Sequence, residues 1–174
     1  GQPVMVDGNP IMEIKIYPDN WLNLGLLLKE GVHTLITSSI ENGVKLYISQ
    51  MGDKVAGRQV QLILKDDTGV PDITKRMAQD LIVTDKVDVL AGFGLTPLAL
   101  ATAPIATQSK TPMVVMAAAT SIITEASPYI VRTSMTLPQV TLGVAEWAPK
   151  NGIKKVVTLV TDYGPGLDAE KTFK

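Results

Sequence analysis

Four short runs of mostly apolar, often β-branched residues recur along the chain, and a stretch with helical character separates each run from the next. The runs lie at 60–65, 87–93, 112–118 and 155–161. Strands that are apolar on both faces, and that alternate with helices, are typical of a parallel sheet covered on both sides. The pattern therefore predicts an α/β fold: a doubly wound, mainly parallel sheet of the flavodoxin-like type.

Apolar residues at helical spacing predict the helices between these strands. The expected helices lie at 41–51, from an N-cap at Asp72 through Ile82, and at 97–109. Two more are expected: one that follows Leu137 and runs through Trp147, and one that begins near Gly166. The first 39 residues have a weaker pattern, which indicates a strand at 11–17, a helix at 21–30 and a further strand at 32–38.

Composition excludes several classes of chemistry. The chain has no cysteine, so a thiolate nucleophile, a disulfide framework and a cysteine-ligated zinc site are ruled out. His33 is the one histidine, which excludes a site built from several histidines. The net charge of −1, without a basic run, argues against nucleic-acid binding. No signal-peptide pattern begins at Gly1.

Ligands of open parallel sheets bind outside the carboxyl ends of the strands, and an acidic pair stands at the first of these ends. Asp66 and Asp67 follow the run at 60–65. They could hold a divalent cation, as in a receiver-type signalling domain, or they could cap the next turn and helix. The other strand ends add one carboxylate only, Asp162, so we favour the turn interpretation and predict no metal site.

The other three strand ends offer hydroxyls, accessible backbone and an aromatic ring. They are the Gly-rich turn at 92–97, which lacks the spacing of a dinucleotide or phosphate loop, the small-residue segment at 117–121, and the turn at 161–166 with Tyr163. Such groups orient a ligand but do not transfer protons near neutral pH. We therefore predict a binding protein with no catalytic residue and no cofactor.

The order of motifs from Glu41 to Lys174 resembles the type I periplasmic binding proteins of the branched-chain amino-acid (Leu/Ile/Val) receptor family, which serve ABC importers. Residues 1–39 do not match the family pattern. The motifs that carry the resemblance are, in chain order, ENGVKLY at 41–47, AGRQV at 56–60, KDD at 65–67, DVLAG at 88–92, PMV at 112–114, AAT at 118–120, YIVRT at 129–133 and DYGPG at 162–166.

The resemblance implies two α/β lobes that clamp a ligand between them. It divides this chain into a segment of unclear origin at 1–39, a ligand-binding lobe at 40–136 and the start of a second, truncated lobe at 137–174. It also implies which residues contact the ligand, namely Leu95, Thr96, Ala118, Ala119, Thr120 and Tyr163. The apolar side chains of Phe93 and Leu95 favour a more apolar or aromatic carboxylate.

The hypothesis that follows is an extracytoplasmic, periplasmic solute-binding protein that captures an amino acid or an aromatic or aliphatic carboxylate. Its partner would be the membrane permease of an ABC importer, and a second copy of the chain is expected to cover the truncated surfaces. The alternative is a flavodoxin-like or receiver-like signalling domain with an acidic pocket at Asp66 and Asp67. A Rossmann-type enzyme ranks last, because the sequence has neither its fingerprint nor catalytic residues.

Overall fold

A computed structural model describes residues 4–6, 9–12 and 32–174 of the chain, with side chains from residue 39 onward. The chain forms two compact units, Gly1–Gln61 and Leu62–Lys174. The candidate site residues all belong to the second unit. The predicted boundaries after residues 39 and 136 stay predictions.

The first unit contains a long helix and two small antiparallel pairings. Strand β1 (Val4–Val6) pairs with β2 (Asn9–Met12), and β3 (Lys54–Val55) pairs with β4 (Arg58–Gln59). Helix α1 runs over Val32–Met51.

The elements predicted for the first 39 residues have three different outcomes. The predicted strand at 32–38 is wrong, because this segment is the first part of α1. No Gly or Pro interrupts the chain between Val32 and Asn42. Because helix formation is cooperative, the helix predicted at 41–51 extends toward the N-terminus as far as Val32. The predicted strand at 11–17 overlaps β2 at its first two residues. Its remainder and the predicted helix at 21–30 lie outside the described residues.

The second unit alternates helices with the strands of a three-stranded parallel sheet. The sheet order is β5-β6-β7, with Leu90 opposite Met113 and Met113 opposite Ile130. The elements are α2 (Pro71–Val83), β5 (Leu90–Gly92), α3 (Thr96–Ser109), β6 (Met113–Val115), a 3-10 helix (Ser121–Glu125), β7 (Ile130–Arg132), α4 (Leu137–Lys150) and α5 (Gly164–Phe173).

Helix α3 forms the centre of the packing because its small residues allow close contact on several sides. Ala99, Ala103 and Ala106 are buried in the core together with the sheet residues Met113 and Val115. Helix α2 packs against α3, and α4 packs against α5. The result is an α/β unit with a parallel sheet, which confirms the predicted fold class.

Two of the four predicted strands are present, in shortened form. Strands β5 and β6 lie within the runs at 87–93 and 112–118. The prediction of strands at 60–65 and 155–161 is wrong, because neither run forms a strand with another segment among the described residues. A strand exists only by pairing, and the side chains of Val157 and Leu159 are 94% and 99% exposed with nothing packed over them.

Two smaller expectations are also corrected. Strand β7 is missing from the prediction because it is three residues long and is preceded by Ser127 and Pro128, which are turn residues. Asp72 does not cap α2: the helix begins at Pro71 with Val70 in the cap position, and Asp72 lies in the first turn. An acidic residue there still interacts favourably with the helix dipole.

Candidate functional site

The loops that follow β5 and β6 are joined by backbone hydrogen bonds beyond the ends of the strands. The Gly92 carbonyl accepts from the N–H of Met116 at 2.7 Å, and the Phe93 carbonyl accepts from the N–H of Ala118 at 2.9 Å. Phe93 has a left-handed φ of 64°, which is unusual for a bulky residue. This strained turn fixes the two loops side by side at one edge of the sheet.

Two buried hydroxyls meet at this edge. Thr96, the first residue of α3, and Thr120, which precedes the 3-10 helix, lie with their Oγ1 atoms 2.6 Å apart. Their side chains are 4% and 2% exposed. One hydroxyl donates to the other, so a single O–H of the pair is left without an acceptor among the hydrogen bonds of the described residues. The pair is therefore prepared to donate to a third group.

The start of α5 covers this pair of hydroxyls. Tyr163 is the cap residue of α5 and is 41% exposed. Gly164, the next residue in the chain, lies against the pair of hydroxyls. A Cβ atom on Gly164 would lie 3.0 Å from Oγ1 of Thr120 and 3.5 Å from Cγ2 of Thr96. Glycine at 164 thus permits a closer approach than any other residue would.

A network of charged and polar groups fastens α5 to the segment after Thr120. The Asp168 carboxylate accepts from the Ser121 N–H at 2.7 Å and from the Ser121 hydroxyl at 3.0 Å. Arg132, at the end of β7, donates from Nη2 to the Thr120 carbonyl. Partial burial lowers the pKa of the Arg132 guanidinium from its usual range, and the nearby negative charge of Asp168 opposes that shift.

The acidic pair at Asp66 and Asp67 is engaged in a turn. Asp66 Oδ1 accepts from the Thr68 N–H at 2.9 Å, and Asp67 Oδ1 accepts from the Gly69 N–H at 3.1 Å. Asp67 Oδ2 also accepts from the Thr74 hydroxyl at 2.8 Å, which ties the turn to α2. These bonds support the turn interpretation over a cation pocket. Residues 39–174 contain no group of three or more potential metal-ligating side chains.

The structure brings most of the predicted ligand contacts to one place. Thr96, Thr120 and the residue after Tyr163 meet directly. Leu95 is the cap residue of α3 and lacks a side-chain cap bond. Ala118 is buried with its N–H bonded to Phe93, and the Ala119 carbonyl accepts from the Leu137 N–H at 2.9 Å.

The roles of Arg132 and Asp168 are absent from the sequence prediction. Arg132 belongs to a motif that carries the family resemblance, but no pattern in the sequence assigns it a contact. Asp168 stands 47 residues from its partner Ser121, so local spacing gives no signal for their contact. No helix among the described residues has the length and apolar character that crossing a membrane requires.

Comparison with known proteins gives consistent matches over most of the chain. A family model described as "Periplasmic binding protein" matches residues 26–174. The Leu/Ile/Val-binding protein homolog 6 of Brucella abortus (strain 2308) is 43% identical over 145 residues, which is 83% of this chain. The chain spans 37% of the length of that relative.

Two solved structures of solute-binding proteins of ABC transporters are similar in fold and sequence. The first, from Rhodopseudomonas palustris BisB5 in complex with 3,4-dihydroxybenzoic acid, is 60% identical with a TM-score of 0.80. The match covers 81% of this chain and 39% of that one. The second, from R. palustris in complex with 4-hydroxybenzoate, is 44% identical with a TM-score of 0.77, and covers 82% and 38% of the two chains.

Proposed function

This chain belongs to the periplasmic binding protein family, and from that premise we propose that it captures an aromatic carboxylate of the hydroxybenzoate class for an ABC importer. The carboxylate would bind at the carboxyl ends of β5 and β6. The other proposed contacts are Leu95, Ala118, Ala119 and Tyr163. The ligand is bound and released without chemical change.

The Thr96–Thr120 hydroxyl pair is the observation that carries the proposal. One O–H of this buried pair has no acceptor among the described residues, and a ligand carboxylate oxygen would supply one. Thr96 also opens α3, where unpaired backbone N–H groups and the helix dipole favour a negative charge. Hydrogen bonds to an ionised carboxylate are stronger than bonds between neutral groups, so the pair would contribute a large share of the affinity.

Three aromatic or apolar side chains near this edge favour an aromatic ring over a polar ligand. Phe93 and Leu95 lie in the turn after β5 and are partly buried, Phe93 against the core, and Tyr163 is exposed where α5 begins. Aromatic rings stack or pack edge to face on such side chains. The two similar solute-binding proteins described with hydroxybenzoates point in the same direction.

A branched-chain amino acid is the second candidate, which the name of the Brucella relative favours. Its ammonium group would need an acidic partner. The Asp168 carboxylate in this region already accepts two hydrogen bonds from Ser121. A ligand with a carboxylate and no amine suits these groups better.

The wider setting follows from the family. Its members are binding proteins, and their location is extracytoplasmic, so we propose the membrane permease of an ABC importer as the partner of the longer protein. We also propose that the clamp forms between a ligand-binding lobe at 40–136 and a second lobe that begins at 137.

Calorimetry with 4-hydroxybenzoate, 3,4-dihydroxybenzoate and leucine tests the proposal. We expect both hydroxybenzoates to bind more tightly than leucine. Thr120→Val keeps the shape but removes a hydroxyl, so it should weaken hydroxybenzoate binding by about 1.5–3 kcal/mol. Tighter binding of leucine would transfer the assignment to the second candidate.

Thr102→Val is the matched control. Thr102 is a fully buried threonine on α3, the helix that begins at Thr96. Its hydroxyl donates to the Leu98 carbonyl at 3.0 Å and not to the Thr96–Thr120 pair. Its loss should leave the affinity unchanged. Equal weakening by both substitutions would show that the Thr96–Thr120 pair is not the contact.

A further inference from the structure

The first turn of α5 occupies the space next to the Thr96–Thr120 pair. Gly164 approaches Thr120 so closely that even an added Cβ would stand 3.0 Å from its hydroxyl oxygen. A ligand oxygen that accepts from this hydroxyl needs a separation of about 2.7 Å and its own van der Waals volume. No such volume exists between Gly164 and Thr120, so the described arrangement is a closed one.

One side-chain contact links α5 directly to the segment that carries Thr120. Asp168 lies four residues after Gly164, which places both on the same face of α5. Ser121, its partner, directly follows Thr120 in the chain. The two bonds from Ser121 to Asp168, at 2.7 and 3.0 Å, therefore fix α5 at the point where it covers the pair.

Arg132 strengthens the same connection from the sheet. Its guanidinium donates to the Thr120 carbonyl and attracts the charge of Asp168. The segment at Thr120 and Ser121 is thus bound to β7 on one side and to α5 on the other. Both hydrogen bonds from this segment to α5 end on the Asp168 carboxylate. Removing that carboxylate therefore breaks the link to α5 and leaves the bond between Arg132 and Thr120 in place.

We propose that Asp168 is a latch, whose bonds to Ser121 hold α5 over the Thr96–Thr120 pair, so that a ligand reaches these hydroxyls only after the latch opens. The inference rests on the proposed function, since it takes the pair as the ligand contact. A ligand that binds only the open form has an apparent affinity reduced by the fraction of molecules that are open. Asp168 would therefore set the rate and strength of ligand capture without contacting the ligand.

Cysteine labelling tests the latch without any ligand. The chain has no cysteine, so Thr96→Cys introduces a single thiol beneath α5. Its reaction rate with a thiol reagent then reports how often α5 opens. Adding Asp168→Ala should accelerate labelling at least about tenfold, the factor that corresponds to one lost hydrogen bond to a charged group.

Two matched variants separate local opening from general loss of stability. Glu170→Gln neutralises another acid of α5, which contacts Thr158 and Lys174, and it should leave labelling of Thr96→Cys unchanged. Thr102→Cys places the thiol at a fully buried position in the body of α3. Asp168→Ala should accelerate labelling there much less. No acceleration at residue 96, or equal acceleration at both thiols, would overturn the latch.

Binding of 4-hydroxybenzoate to the cysteine-free chain completes the test. Asp168→Ala should raise the association rate at least about tenfold relative to Glu170→Gln. An unchanged or slower association would overturn the latch. If no form binds 4-hydroxybenzoate but labelling at residue 96 accelerates selectively, the latch stands and the proposed ligand class fails.

Discussion

Gly166 lies directly against the backbone of Thr161: a Cβ atom at position 166 would stand 2.0 Å from the Thr161 carbonyl oxygen and 2.8 Å from its nitrogen. The chain turns tightly between these residues before α5 continues. A contact with backbone atoms cannot be relieved by a change of side-chain rotamer. The turn that brings Tyr163 and Gly164 to the site therefore depends on this glycine.

Replacing Gly166 with alanine should destabilise the second unit by about 3 kcal/mol, the upper end of the usual cost of overpacking. Urea denaturation followed by circular dichroism measures the change. Gly143→Ala is the control, because nothing lies within 4 Å of a Cβ at that position in α4. It should stabilise the protein by about 0.5–1 kcal/mol, since alanine favours a helix interior. Equal effects of the two substitutions would contradict the described turn.

The ion pairs of Lys65 predict how stability depends on pH. Lys65 Nζ lies 2.6 Å from Asp80 Oδ2 and 3.2 Å from Asp85 Oδ2. The hydrogen bond from Lys65 lowers the pKa of Asp80 below its ordinary value of 3.8, and the same two carboxylates raise the pKa of Lys65.

A carboxyl group with a lowered pKa contributes stability above its unfolded pKa and loses it as the pH falls through the folded pKa. Stability should therefore decrease as the pH falls below about 4 and through the lowered pKa of Asp80. Lys65→Met should reduce the part of this decrease that belongs to Asp80. Urea denaturation at pH 7 and pH 3 compares the two proteins, and identical pH dependence would show that the pair is not formed.

The turn at Asp66 and Asp67 predicts the response to divalent cations. Both carboxylates accept hydrogen bonds within the turn, and Asp67 also binds the Thr74 hydroxyl. Millimolar Mg²⁺ should leave the thermal midpoint unchanged, because a cation that bound the native state would raise it. Asp67→Asn should cost about 1 kcal/mol of stability and leave hydroxybenzoate affinity unaltered. A clear rise of the midpoint with Mg²⁺ would support the acidic-pocket alternative.

The segment at 155–161 predicts self-association. Val157 and Leu159 are almost fully exposed, and Trp147 on α4 is 55% exposed. Exposed apolar side chains of this kind form a surface that a second copy of the chain can cover. Light scattering should show a mass that rises with concentration, and Leu159→Lys should reduce it. A constant monomer mass at high concentration would exclude this contact.

The sequence correctly predicted strands where a short apolar run is itself enough to cause burial, as in β5 and β6. Leu90 of β5 and Met113 and Val115 of β6 are buried in the core. Because parallel neighbours end at the same edge of a sheet, the meeting of Thr96 with Thr120 follows from their positions. Pairing partners for the runs at 60–65 and 155–161 depend on other parts of a chain, which local patterns do not specify. The contact between Ser121 and Asp168 is of the same non-local kind.

The bonded loops after β5 and β6 have a thermodynamic consequence. Their conformations are fixed before any ligand arrives, since the Phe93 carbonyl already accepts from the Ala118 N–H. A ligand that binds against them therefore orders almost no backbone on this side, and the entropic penalty of capture falls on the movement of α5. Calorimetric entropies should accordingly respond more to substitutions in α5 than to substitutions that alter only the backbone of the loop at 92–95.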